Sequence, residues 1–105
     1  MSPGKIASQA GHAYLGAFLD ATTKTPAVAS AYAQEAPGTK VCLHGSLSAI
    51  LKAADEAARL GVPHFLVVDS GCANFFNGEP TVTALGLGPA TREQSHSITK
   101  KFNLL

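Results

Sequence analysis

The strongest constraint on the fold is the run His64-Phe65-Leu66-Val67-Val68, almost continuously apolar, preceded by Gly61 and Pro63 and ended by Asp69. A run of strand length with no polar alternation predicts a strand covered on both faces. Upstream, Lys40-Val41-Cys42-Leu43-His44 has the same character between Gly38 and Gly45. Between the two, Ser46 caps a helix whose apolar stripe is Leu47, Ile50, Leu51, Ala54, Ala57 and Ala58, with Lys52, Asp55, Glu56 and Arg59 on the wet side. Gly61 and Pro63 close that helix. Strand, helix and strand make a βαβ unit. A right-handed crossover places its strands parallel and Asp69 at the carboxyl end of the second, where ligands gather in open α/β sheets.

The flanks add further elements. Ser2-Pro3 reads as an N-cap with proline at the first helical position. Ile6, Ala10, Ala13 and Ala17 recur at helical spacing and are expected to face the core, in a helix continuing through Phe18 to about Asp20. Thr25-Pro26 repeats the cap signal and opens a helix over 27–35, stopped by Pro37 and Gly38. Asn77-Gly78 marks a turn, Thr81 to Leu87 reads as a third strand, and Thr91-Arg92-Glu93-Gln94 is a capping box opening a last helix to about Lys100. The expected fold class is α/β, a three-layer sandwich with a small mixed β-sheet flanked by helices. Three strands make a thin sheet for that many helices.

A chain of 105 residues is expected to be one domain, 1–105, able to bury roughly two thirds of its unfolded surface. Its formal net charge of +1 announces no nucleic-acid partner, so any basic surface has to come from local clustering. No stretch reaches the roughly 18 apolar residues of a membrane span, and Met1 is followed by Ser-Pro-Gly-Lys rather than a basic-then-apolar leader. A cytoplasmic protein with no membrane partner is expected. Cys42 and Cys72 are too far apart for a redox pair and lack zinc-knuckle companions, which makes them a reduced pair by default. Asp20, Asp55 and Glu56 lack metal-ligand spacing, and no metal site is expected.

Lys5, Gln9 and His12 are spaced i, i+4, i+7 and fall on one face of the first helix. An ammonium, an amide and an imidazole facing one way can bind a phosphate or carbonyl oxygen, orient a water and shuttle a proton. A solvated face opposite an apolar one has the same spacing, and spacing alone favours it. Asp69 closes an apolar strand before Ser70-Gly71. With Lys5 beside it, its carboxylate would be an oriented base; the alternative is an Asx turn capping its own loop. Ser70 has no Gly-x-Ser-x-Gly setting and no histidine adjoins Cys72 in sequence, so covalent catalysis is not favoured. His44 and His64 read as strand-end residues and His96 as solvated. Gly86-Leu87-Gly88-Pro89 lacks the third glycine of a dinucleotide fingerprint and reads as a strand exit.

Met1-Ser-Pro-Gly-Lys5-Ile-Ala-Ser-Gln9-Ala-Gly-His12-Ala resembles the stretch that opens the first helix of type 2 peptidyl-tRNA hydrolases. Val67-Val68-Asp69-Ser70-Gly71 is similar to that family's strand-end Asp-x-Gly, and Thr81-Val-Thr-Ala-Leu-Gly-Leu-Gly88-Pro89 to its closing strand. The resemblance covers essentially the whole chain. It implies a single-domain α/β sandwich, often dimeric, that needs no cofactor and hydrolyses the ester between peptide and tRNA, with peptidyl-tRNA as the partner. It puts Lys5, Gln9 and Asp69 on the catalytic positions and Ser8, His12 and Gly71 at substrate contacts. The threonine that many relatives carry soon after Asp-x-Gly is replaced by Cys72-Ala73-Asn74. The family also places a β-strand before its Met-x-x-Gly-Lys motif, where this sequence begins, and the resemblance therefore implies a missing N-terminal strand. A catalytically inactive binding module on the same fold, a small-ester hydrolase and a regulatory subunit are the rival readings.

Overall fold

A long helix lies across a two-stranded ribbon. The computed structural model describes residues 2–35, 38–69 and 80–105. Helix α1 spans Pro3–Lys24 and α2 spans Pro26–Gln34. Strand β1 is Leu43–His44, α3 is Leu47–Leu60, and β2 is His64–Asp69. Strand β3 is Thr81–Leu87, α4 is Arg92–Thr99, and β4 is Asn103–Leu104.

The helix starts form as their sequences demand. The Ser2 hydroxyl accepts from the Lys5 N–H, Ser46 caps α3 through the Ala49 N–H, and Gly61 closes α3 in the left-handed region at φ 73°. Thr91 and Gln94 complete the reciprocal capping box of α4. Thr25 occupies the N-cap of α2 without capping it, because its hydroxyl turns back to the Ala21 carbonyl. Helix α1 runs a turn past Asp20: Ala21 is fully buried, and Lys24 pairs with Asp20 across one turn at 2.9 Å. Pro37 and the Asn77-Gly78 turn lie outside the described residues.

The α/β class and the helix-covered ribbon hold, whereas the one small mixed sheet is replaced, among the described strands, by two separate pairs. Strand β2 pairs antiparallel with β3, and β1 pairs antiparallel with β4, in two separate two-stranded sheets. Phe102 packs so closely on Gly45 that a β-carbon there would strike its ring, and this seats the following residues beside β1, where the Leu105 N–H donates to the Cys42 carbonyl at 3.1 Å. An apolar run states that it will be a strand but not which strand it will meet.

Neighbouring residues of β3 face opposite layers. Leu85 and Leu87 pack on the cluster of Ala53, Ala57, Val62 and Ile98 from α3, its exit and α4. Gly86 faces α1, so closely that a β-carbon would collide with the Ala13 carbonyl. The buried line of α3 is Ala53 and Ala57 rather than the broader stripe expected, and Leu47 and Leu51 remain exposed. On α1 the buried line is Gln9, Ala13, Ala17 and Ala21. Ile6 and Ala10, expected in the core, are only half-buried.

Candidate active site

A glutamine on an alanine line is the anomaly from which the site can be built. Small side chains at 13, 17 and 21 let α1 settle onto the ribbon, and the i, i+4 spacing then carries Gln9 into the same seam, where it is 7% exposed. Burying an amide without partners costs about 1–3 kcal/mol. Gln9 has partners on both sides. Its Nε2–H donates to Asp69 Oδ2 at 3.1 Å, and its Oε1 accepts from the Thr83 hydroxyl at 2.7 Å. An ionised carboxylate only accepts, so the amide nitrogen must face Asp69, and the oxygen is left to face Thr83, which donates. The amide has one orientation.

Each partner is placed by the ribbon. Asp69 is the last residue of β2, on the same face as Val67, and sits opposite Thr81. Between the pairs Val67 with Ala84 and Val68 with Val82 the register slips, leaving Thr83 as an extra residue in β3. Such a bulge re-aims a side chain. Here it turns the Thr83 hydroxyl to the α1 face, although Ala84 and Gly86 already face that helix. Thr83 was not among the residues singled out from sequence, and the only trace of it there is a hydroxyl inside an apolar strand.

Gln9, His12 and Asp69 line one end of a cleft of about 740 Å³ between α1 and β2. His12 is exposed at its rim. Lys5 is half-buried one turn before Gln9, and Ser8 is exposed; neither belongs to the described lining of the cleft. Gly71, Ser70 and Cys72 fall outside the described residues. Cys42 is an exposed free thiol. Among the described residues no three His, Cys, Asp or Glu side chains converge as metal ligands.

The far end of the cleft is built differently. Asp20 Oδ2 accepts from the His64 backbone N–H at 2.9 Å and pairs with the Lys24 ammonium. The His64 N–H, and after it Lys24, hold the Asp20 carboxyl below the usual carboxylate range against the opposing effect of partial burial. His64 begins β2, as the sequence suggested for a strand-end histidine, and its Nδ1 lies 3.0 Å from the Val62 carbonyl. A carbonyl only accepts, so Nδ1 carries the proton. His44 and His96 are exposed.

Fold and site together define a small α/β domain whose helix buries one amide between a strand-end carboxylate and a bulge hydroxyl, at the mouth of a cleft. Among known families, the model described as "Peptidyl-tRNA hydrolase PTH2" matches residues 1–105. The chain belongs to that family. It is 36% identical over 105 residues to a peptidyl-tRNA hydrolase from Methanopyrus kandleri, covering all of this chain and 88% of that protein. A peptidyl-tRNA hydrolase from Methanocaldococcus jannaschii is 31% identical over 105 residues, again over all of this chain and 90% of that protein. A probable peptidyl-tRNA hydrolase 2 from Dictyostelium discoideum is 32% identical over 104 residues, which are 99% of this chain and 49% of that longer protein. No described helix is long and apolar enough to cross a membrane.

Proposed function

We propose that this chain hydrolyses the ester joining a peptide to its tRNA, releasing the peptide and free tRNA. Family membership and relatives named for that activity support the reaction. One observation supports the choice of residues: Gln9 is buried with its amide fixed between Asp69 and Thr83.

Ester hydrolysis needs a water oriented at the carbonyl carbon, a base for its proton, and donors for the oxyanion that develops. Asp69 is the base. A carboxylate offers about four lone-pair positions, so it can accept from Gln9 and still accept from a water. Gln9 fixes the orientation of that carboxylate, and Thr83 fixes Gln9. Lys5 stands one turn earlier on the same helix, whose first turn carries no acidic residue to offset the positive end of its dipole. Lys5 and the N–H groups there stabilise the oxyanion or a phosphate near the 3′ end of the tRNA. When the acyl–oxygen bond breaks, the proton taken by Asp69 passes to the departing ribose oxygen, which leaves a peptide acid and an intact tRNA. His12 at the rim, Ser8 on the exposed side of α1 and Gly71 after the strand end serve as substrate contacts. We further propose cytoplasmic action by a pair of identical chains; sedimentation of the purified protein as a monomer would count against the pairing.

The test is cleavage of a model peptidyl-tRNA by the wild type and by Asp69→Asn. Loss of a general base lowers the rate about a hundred- to ten-thousandfold. Undiminished hydrolysis by the variant would remove the base assignment, and a wild type that cleaves short esters while sparing peptidyl-tRNA would replace the reaction itself.

A further inference from the structure

A second concavity, of about 310 Å³, lies between the start of α3 and the turn that leads from α4 into β4. None of its lining residues belongs to the cleft at Gln9 and Asp69. It is on the edge of β1 that β4 already covers, where Asn103 pairs with His44. Packing fixes its walls. The Phe102 N–H donates to the Thr99 carbonyl at 2.9 Å, and the Phe102 ring lies where a β-carbon on Gly45 would be. The residues on either side of Phe102, Lys101 and Asn103, are thereby brought to one cavity with His44 and Ser46.

The polar groups gathered there are rich in donors. Lys101 offers an ammonium, Asn103 an amide nitrogen, and His44 a ring N–H in either tautomer. The Ser46 hydroxyl accepts from the Ala49 N–H at 3.1 Å and keeps its own O–H to donate. No carboxylate lines the cavity. Elsewhere charge cancels locally, Lys24 against Asp20 and Arg59 against Glu56, whereas Lys101 and His44 have no ion-pair partner among the described residues. The acids of the two flanking helices, Glu93 on α4 and Asp55 on α3, are set back about 12–14 Å at 1.5 Å per residue, farther than the roughly 8 Å over which exposed charges act in physiological salt. An anion whose oxygens only accept satisfies such a set, and phosphate is that anion.

We infer that this cavity docks a backbone phosphate of the tRNA, held by Lys101 with His44, Ser46 and Asn103. The inference rests on the hydrolase reading and extends it: the ester is handled at Gln9 and Asp69, and a separate site positions the polyanion. A phosphate contact carries no base information, so the site fixes how the tRNA lies without choosing among tRNAs. It supplies the local clustering that a net charge of only +1 requires of a tRNA-binding chain.

Lys101→Gln tests it, with Lys101→Arg as the conservative variant and Lys52→Gln, on the wet side of α3 and outside the cavity, as the control. Both lysines are exposed, so these changes leave the fold intact. Binding of deacylated tRNA is measured against salt concentration, and KM and kcat are measured on peptidyl-tRNA. In Lys101→Gln the tRNA is expected to bind about three- to tenfold more weakly, with the slope of log Kd against log salt reduced by about 0.7–0.9, the loss of one phosphate contact. KM should rise by the same factor with kcat unchanged, Lys101→Arg should bind as the wild type does, and Lys52→Gln should stay within about twofold of it. An unchanged salt slope in Lys101→Gln, or an equal loss in Lys52→Gln, overturns the docking site and leaves the hydrolase reading standing. A wild type that neither binds tRNA nor cleaves peptidyl-tRNA overturns both.

Discussion

The β2–β3 ribbon is packed from two sides with different chemistry. Toward α3 and α4 it offers Leu85 and Leu87 to an apolar cluster of Ala53, Ala57, Val62 and Ile98. Toward α1 it offers Asp69 and Thr83, and the helix answers with a buried glutamine on a line of alanines. The first seam gains its stability from area removed from water. The second gives up part of that gain to hold three polar groups in fixed geometry, and it is the second that opens into the cleft. One ribbon thus carries an apolar face and a polar face, the polar one being the face to which the proposed chemistry is assigned, a division that substitutions on either side can break or sharpen.

The largest effect is expected on the α1 side. Gln9→Leu removes the amide that orients Asp69, and peptidyl-tRNA hydrolysis should fall at least about a hundredfold, while unfolding shifts by no more than about 2 kcal/mol because the new side chain is apolar in an alanine-lined seam. A collapse of stability equal to the loss of rate would erase the distinction between the faces. On the other side, Val62 is 1% exposed, and Val62→Ala should cost about 2 kcal/mol in denaturant unfolding with hydrolysis per folded molecule unchanged. A loss of catalysis in that variant would show the two seams to be coupled.

The smallest effect concerns the two carboxylates on the cleft, one for each purpose. Asp20 is held by the His64 N–H and Lys24, and Asp20→Ala should cost about 1.5 kcal/mol near neutral pH. The sign of its pH dependence follows from the lowered folded pKa. Its stabilisation is complete above the unfolded carboxylate pKa and fades as pH falls through the lower folded value. Acid titration of stability should therefore be shallower in Asp20→Ala than in the wild type, with hydrolysis at neutral pH little changed. Parallel titration curves would mean that Asp20 contributes nothing through its charge.

Local signals in the sequence reached as far as local physics reaches. Ser2, Ser46, Thr91 with Gln94, and Gly61 mark helix ends by hydrogen bonds made within a few residues, and those ends form as the sequence predicts. Asp69 ends its strand, and helical spacing placed Gln9 on the same side of α1 as Lys5 and His12. Pairing was not accessible in this way. Leu43-His44 meets Asn103-Leu104 beside the docking of Phe102 on Gly45, a contact between residues far apart in the chain, and the one mixed sheet expected is replaced, among the described strands, by two antiparallel ribbons. Thr83 was missed for the same reason. Its direction depends on a slip in register with β2, and no periodicity in 81–87 records where a partner strand will slip. The burial of Gln9 likewise depended on which side of α1 would meet the ribbon, and the alanines at 13, 17 and 21 decide that only once the ribbon is there.

The claim that Gln9 and Asp69 act as one unit is tested most directly by the hydrolysis rates of four proteins at saturating peptidyl-tRNA: wild type, Gln9→Leu, Asp69→Asn and the double variant. Groups that work only through one another lose little more together than the worse of them loses alone, so the double variant should match Asp69→Asn. A double variant whose loss is the product of the two single losses would contradict the account.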